Sequence, residues 1–236
     1  MYVTLFFVGL IAGILSGSVG FGGGMVLLPV ITYFYGIEVA VPVATIAQLM
    51  SNLSRAAMGW REIHWRQAAW FLLPAIPFTA LGALGFSLID KTLMTRVLCV
   101  FLIVFSVMKL RNKIHLPAGK QTMLVGGALT GLINGLLGIS GPLNSAVFFT
   151  LDLSPIAYIV SEAAAAAAMH VVKAVTYGKF DLMDIYIFLY GFFIGCAMMA
   201  GNFIALHLIR YARKKLYQQF VAIMMIAVSL WLFFFI

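Results

Sequence analysis

Eight long apolar runs, separated by short polar breaks, constrain the fold of this chain more than any other feature. A helix needs about 20 predominantly apolar residues to cross the hydrocarbon core of a bilayer. Backbone within that core must satisfy its own hydrogen bonds, which favours helices. The runs are 4–35, 40–58, 67–89, 93–110, 121–150, 155–177, 184–207 and 216–236. The sequence therefore predicts an all-α polytopic membrane protein.

The composition agrees with a membrane protein, because 64% of the residues are hydrophobic and only 9% are charged. A soluble domain carries about 25% charged residues. The net charge of +8 is then no sign of nucleic-acid binding, since Lys and Arg of membrane proteins collect in cytoplasmic loops. We expect membrane lipid as a partner and no nucleic acid.

An internal repeat appears when the chain is shifted by 118 positions. Five pairs of glycines then coincide without a gap, which is hard to obtain by chance. The pairs are Gly9 with Gly127, Gly13 with Gly131, Gly17 with Gly135, Gly20 with Gly138, and Gly23 with Gly141. The repeat predicts two units, 1–115 and 116–236, and such repeats are typical of secondary transporters.

The basic loops bear on how the two units are oriented. They lie at 59–66, 109–120 and 207–215. With eight full crossings, the second and third loops would lie on opposite faces, against the positive-inside tendency. If the first and fifth runs are re-entrant or broken hairpins, each unit keeps three transmembrane helices and all three loops face the cytoplasm. We therefore predict two inverted repeats, with eight plain spans as the alternative.

The glycines of the first and fifth runs fall into two groups. Those spaced by four residues line one helix face and favour close helix packing. The stretches 20–24, GFGGG, and 138–144, GISGPLN, cannot continue a regular helix without cost. We predict helix breaks there, with new helices starting near Gly24 and near Pro142. Two helix starts meeting in mid-membrane would turn unpaired N–H groups and positive dipole ends towards a small anion.

Ionisable residues inside the apolar runs are costly, on the order of 3 kcal/mol each on insertion scales. Glu162 either pairs with a nearby base or carries a proton. His170 lies two helical turns further along the same face. It either makes structural hydrogen bonds or takes part in proton-linked gating, because histidine titrates near neutral pH.

Two basic residues, Arg55 and Lys173, occupy equivalent repeat positions near the ends of the second and sixth runs. Basic side chains at such places ordinarily extend to the lipid headgroups. The alternative is that these two attract or clamp an anion at the two mouths of a cavity. Their position near the ends of the runs favours contact with the headgroups, whereas their symmetric placement is an argument for the anion clamp.

Neutral polar residues mark the expected cavity. A stripe at helical spacing in the second run is expected to face it, and two asparagines flank the second break as amide donors. The stripe is Thr45, Gln48, Ser51 and Asn52, and the asparagines are Asn134 and Asn144.

The stretches GILSGSVGFGGGMVLLPV (13–30), GLINGLLGISGPLNSAV (131–147) and ATIAQLMSNLSRAAMG (44–59) resemble the TauE/SafE family of sulfite and organosulfur-anion exporters. The resemblance covers essentially the whole chain. It departs from the family pattern at Ser140 and Pro142, where the family usually has glycine. The resemblance implies a permease for sulfite, sulfonates or related small anions.

The function predicted from these features and this resemblance is secondary transport of a small sulfur-containing anion. Because no ATP-binding motif is present, the energy is expected to come from an ion gradient or from the substrate's own gradient, and we favour coupling to an ion gradient. A passive anion channel and a non-catalytic subunit of a larger complex are the alternatives, and a homodimer is left open. We predict no enzyme, no cofactor and no metal site. The predicted substrate-binding residues are Gly20, Gly22, Gly23, Gly24, Gln48, Asn52, Arg55, Asn134, Gly138, Gly141, Asn144, His170 and Lys173, and the predicted proton-coupling residues are Glu162 and His170.

Overall fold

A computed structural model describes residues 2–20, 22–111 and 117–208, together with residues 226, 230 and 234. Within these ranges every regular element is helical, which confirms the predicted all-α class. The helices are α1 (Tyr2–Val19), α2 (Gly23–Tyr35), α3 (Ile37–Met58), α4 (Trp65–Leu88), α5 (Lys91–Leu110), α6 (Lys120–Leu137), α7 (Gly141–Phe148), α8 (Pro155–Lys179) and α9 (Ile185–Leu208). Short 3₁₀ turns follow α3 and α7, at Trp60–Glu62 and Phe149–Leu151.

Four of the described helices are long and apolar enough to cross a membrane. They are α3, α4, α8 and α9, with spans Ile37–Met58, Trp65–Phe86, Ile156–Lys179 and Ile185–Ala205. The first and fifth apolar runs are each divided into two helices, as predicted. The eighth run, 216–236, lies outside the described residues apart from three isolated positions.

The two helix breaks have the same local geometry at the same repeat offset. Gly20 and Gly138 both have a left-handed backbone, with φ of 83° and 75°. Each N–H donates to the carbonyl four residues earlier, of Ser16 and Asn134, at 2.9 Å in both cases. The next helices begin three residues later, at Gly23 and Gly141, within one residue of the predicted starts. The two breaks therefore share their local structure at the repeat offset, while the inverted orientation and the unit boundaries stay predictions.

Packing between the two units is reciprocal. Helix α4 of the first unit packs along α6 of the second, and α9 of the second unit packs along α1 of the first. Glycines permit the close approach, since a Cβ at Gly13 would meet the backbone of Met198 and one at Gly131 the backbone of Ala75. The prediction that the four-residue glycine stripes serve helix packing is confirmed.

Large apolar side chains are exposed on the surface of the molecule, while its mostly apolar interior also holds polar and charged side chains. Large exposed apolar residues occur along the described helices, among them Phe34, Leu73 and Phe203. The buried described residues include four Arg, Lys, His or Glu side chains, each at most 4% exposed. These are Arg55, Glu162, His170 and Lys173. Such intramembrane groups mark functional regions, and their surroundings define the candidate site.

Candidate functional site

Both helix breaks border one small buried cavity. Its volume is about 20 Å³, which is room for about one water molecule. The lining residues come from α1, α2, α3, α8 and α9, from the two helix breaks, and from the first residue of α7. The lining residues are Ser16, Gly20, Gly22, Gly24, Met25, Gln48, Ser51, Asn52, Arg55, Ile139, Ser140, Gly141, Glu162, Ala166 and Met198.

The N-termini of two helices, α2 and α7, border this cavity. The first intrahelical bond of α2 runs from Val26 N–H to the Gly22 carbonyl at 3.1 Å, and that of α7 from Asn144 N–H to the Ser140 carbonyl at 2.9 Å. The N–H groups before these have no acceptor within their helices, and they carry the positive end of the helix dipole. The φ of 115° at Gly22 is one that other residues rarely adopt. Glycine at this position therefore lets bare backbone face the cavity.

The side chain of Arg55 is buried and connects the first helix break with Glu162 of the second unit. Its Nη1 donates to the Gly20 carbonyl at 2.6 Å and to Glu162 Oε2 at 3.1 Å. Its Nη2 donates to Asn52 Oδ1. With 4% of its surface exposed, Arg55 does not extend to the headgroups, so that interpretation is wrong. The guanidinium instead donates to the carbonyls of Gly20 and Ser16, at the end of α1.

Glu162 is held by donors from two other helices. Besides Arg55 of α3, Asn144 of α7 contributes its Nδ2, which donates to Oε1 at 2.8 Å and to the Glu162 carbonyl at 3.1 Å. The side chain of Glu162 is buried. Of the two predicted readings, pairing with a base is confirmed, and the role of proton carrier stays a prediction.

Polar contacts also fix α3 against its neighbours around the cavity. Gln48 Nε2 donates to the Gly138 carbonyl in the second break at 3.4 Å. From α9, Asn202 Nδ2 donates to Ser51 Oγ at 3.0 Å and to Ser54 Oγ at 2.8 Å. The polar stripe of α3 therefore serves both the cavity and the contacts that hold its walls together.

A second buried polar cluster lies further along α8. Lys173 is fully buried, so it also does not extend to the headgroups. Its Nζ donates to Asn134 Oδ1 at 3.2 Å and lies 3.5 Å from the Asn134 carbonyl. His170 is fully buried, and neither of its ring nitrogens has a hydrogen-bond partner among the described residues. The structural hydrogen bonding expected of His170 is therefore not seen.

The predicted site residues divide between the cavity and its surroundings. Those that line the cavity are Gly20, Gly22, Gly24, Gln48, Asn52, Arg55, Gly141 and Glu162. Gly23 is not among the lining residues, since a Cβ there would lie 2.8 Å from Met198 Cε of α9 and 3.1 Å from the Ala12 carbonyl and the Ser16 Cβ of α1. Gly138 and Asn144 contact lining residues, and Asn134, His170 and Lys173 form the second cluster.

Three lining hydroxyls were absent from the predicted binding set, namely those of Ser16, Ser51 and Ser140. Ser51 belongs to the predicted stripe. For Ser16 a signal exists, because the repeat places it opposite Asn134. Within the described part of the chain, no group of three His, Cys, Asp or Glu residues is placed to hold a metal ion.

Comparison with known proteins agrees with a membrane transporter. The family described as "Sulfite exporter TauE/SafE" matches the chain over residues 5–232. A probable membrane transporter protein of Methanocaldococcus jannaschii is 27% identical, with 58% of this chain and 57% of that relative covered. The chain thus matches little more than half the length of this relative. No solved structure gives a significant match.

Proposed function

Because the chain belongs to the sulfite exporter TauE/SafE family of membrane transporters, we propose that it is a secondary transporter of sulfite or a related small sulfur-containing anion. We place its activity in the cytoplasmic membrane. The observation that carries the proposal is the convergence of two glycine-rich helix breaks on one buried cavity beside Arg55.

The groups around the cavity suit an oxyanion better than a cation or an apolar molecule. Peptide N–H groups at the starts of α2 and α7 are donors, and helix N-termini favour anions. Serine hydroxyls, the Gln48 amide and the Arg55 guanidinium add further donors. Among the lining residues Glu162 carries the one acidic group, and Arg55 already neutralises it at 3.1 Å.

The size of the cavity favours a transporter over a passive channel. A cavity of about 20 Å³ holds about one water molecule, so the walls must move apart before an oxyanion enters. Such a closed site fits alternating access, in which one bundle rocks against the other around a central site. The coupling ion is proposed to be a proton, with Glu162 and His170 as its carriers.

Transport by the purified chain in proteoliposomes tests the proposal. We expect saturable sulfite flux that responds to an imposed pH gradient. Flux that neither saturates nor responds to the gradient would support the channel instead. Absence of flux from the chain alone would contradict autonomous transport and favour the role of a subunit.

The Gly24→Ala variant tests the location of the site. Its Cβ would lie 2.8 Å from Gln48 Cδ and reduce the space in the cavity. We expect sulfite flux at least about tenfold lower, the effect of roughly 1.4 kcal/mol. Gly178→Ala is the matched control, because a Cβ at Gly178 meets nothing within 4 Å. Equal flux in the two variants would contradict the site.

A further inference from the structure

The two equivalent basic residues of the repeat have the same backbone contact. Arg55 Nη1 lies 3.4 Å from the Ser16 carbonyl, and Lys173 Nζ lies 3.5 Å from the Asn134 carbonyl. Ser16 and Asn134 are themselves equivalent at the repeat offset of 118. Each cation therefore lies at the carbonyl end of the helix that precedes the break in its own unit.

Their counter-ions differ. Arg55 has Glu162 at 3.1 Å. At the offset of 118, the residue equivalent to Glu162 in the first unit is Ala44, which is buried and carries no charge. Within the described residues Lys173 has no ion pair, and its hydrogen bonds go to the two oxygens of Asn134. The repeat thus has a fixed carboxylate for one cation and none for the other.

Unsatisfied polar groups surround Lys173. One turn earlier on α8, both ring nitrogens of His170 lack partners, and on α6 the Asn134 Nδ2 also lacks one. The hydroxyl of Tyr177, one turn later, is already engaged with the Gly135 carbonyl at 3.0 Å. An ammonium, an amide N–H₂ and an imidazole N–H are all donors. Buried donors without acceptors are costly, and a buried ammonium without a counter-ion is more so.

We propose that Lys173, His170 and Asn134 form a second anion station, where the negative charge of the transported oxyanion takes the place that Glu162 has beside Arg55. This inference rests on the proposed function. The station adjoins the first cavity, because Ala166 lines that cavity and lies one turn before His170 on α8. Lys173 lies seven positions after Ala166 on α8, which is about 10 Å along the helix axis.

The two units then have different roles in transport. Arg55, the cation of the first unit, is neutralised by Glu162 in the absence of substrate. Lys173, the cation of the second unit, is neutralised when the transported anion binds. An anion that moves from the cavity to the station exchanges one set of buried donors for another and need not return to water in between.

Lys173→Met tests the station, because methionine fills a similar volume without charge. The assay is thermal unfolding of the full-length protein in detergent, titrated with sodium sulfite at constant ionic strength. Lys179→Met is the matched control, since Lys179 is exposed on the same helix. We expect Lys173→Met to keep or raise the melting temperature without sulfite. Its apparent Kd for sulfite should weaken about 10- to 100-fold, the range for a lost charged hydrogen bond.

Lys173→Arg should keep an apparent Kd for sulfite close to that of the wild type, since arginine keeps the positive charge. An unchanged Kd in Lys173→Met would overturn the station and leave the proposed function intact. If Lys173→Met does not fold, His170→Leu carries the same test, and unchanged sulfite affinity in that variant would overturn the station.

Titration of the wild type with sodium chloride separates the two proposals. If the melting temperature of the wild type rises with chloride but not with sulfite, and Lys173→Met loses that rise, the second anion station is supported and the sulfur-anion function is contradicted. If wild type responds to neither anion, both fail.

Discussion

Glu162→Gln should destabilise this protein more than its conservative chemistry suggests. The change removes one charge from a pair whose members are 4% and 1% exposed, and leaves the Arg55 guanidinium buried without its carboxylate. The new amide also meets donors on both sides, because Arg55 and Asn144 each donate to one oxygen of Glu162. Whichever way the glutamine is turned, one N–H₂ faces another donor.

The expected cost follows from the geometry. At a separation of 3.1 Å and an effective dielectric constant of about 20, two unit charges interact by about 5 kcal/mol. Loss of one partner from a buried pair costs about 3–5 kcal/mol in other proteins. For a chain of this length, about 1 kcal/mol corresponds to a shift of roughly 2–4 °C in Tm. We therefore expect Tm to fall by roughly 10 °C.

A double-mutant cycle measured by thermal unfolding in detergent isolates the pair. Arg55→Gln, Glu162→Gln and the double variant are compared with wild type in anion-free buffer. The double variant should lose less stability than the two single variants together, because no buried charge is left unpaired. A fall of less than about 2 °C in Glu162→Gln, below about 1 kcal/mol, would refute the reasoning.

Three further changes test the framework of the site. Gly138→Ala should lower the free energy of unfolding by about 1–2 kcal/mol, measured by thermal unfolding, because the backbone φ at Gly138 is 75° and residues other than glycine are strained in this region. Stability equal to that of Gly178→Ala would count against a strained break. Gly131→Leu should abolish recovery of monodisperse protein, since even a Cβ there meets the Ala75 backbone, and normal yield with native Tm would disprove the α4–α6 contact. Asn202→Leu should lower the free energy of unfolding by about 1–3 kcal/mol, because it removes the buried hydrogen bonds that Asn202 Nδ2 donates to the Ser51 and Ser54 hydroxyls of α3; no change in urea unfolding would contradict that contact.

The sequence was informative about the helix breaks because glycine has a direct conformational meaning. Clustered glycines in an apolar run predict an interruption, and the positive φ of Gly20 and Gly138 is what glycine accommodates. The same reasoning could not predict that Gly24 lines the cavity and that Gly23 does not. Adjacent helical residues point about 100° apart, and a run of glycines has no side-chain pattern to show which one faces a cavity.

Partnerships between distant residues were beyond sequence reasoning. Arg55 and Glu162 lie 107 positions apart, and the repeat suggested Lys173 as the equivalent of Arg55 without indicating a partner for either. Placement near the end of an apolar run favoured contact with headgroups for both. The structure differs because the carbonyls that end α1 and α6 lie within the protein, next to these two side chains.

The reciprocal packing of α4 and α9 has a consequence for the origin of the chain. In the described residues, α4 makes its extensive contacts with α6 and α8, and α9 makes its own with α1 and α3. By sequence each of these two long helices belongs to one unit, but it packs against helices of the other unit. The arrangement resembles a domain swap, in which two subunits exchange a helix. A half-length ancestor would have left its glycine-lined groove open until a second copy filled it. Fusion of two such copies would hold together in one chain the halves whose long helices pack reciprocally.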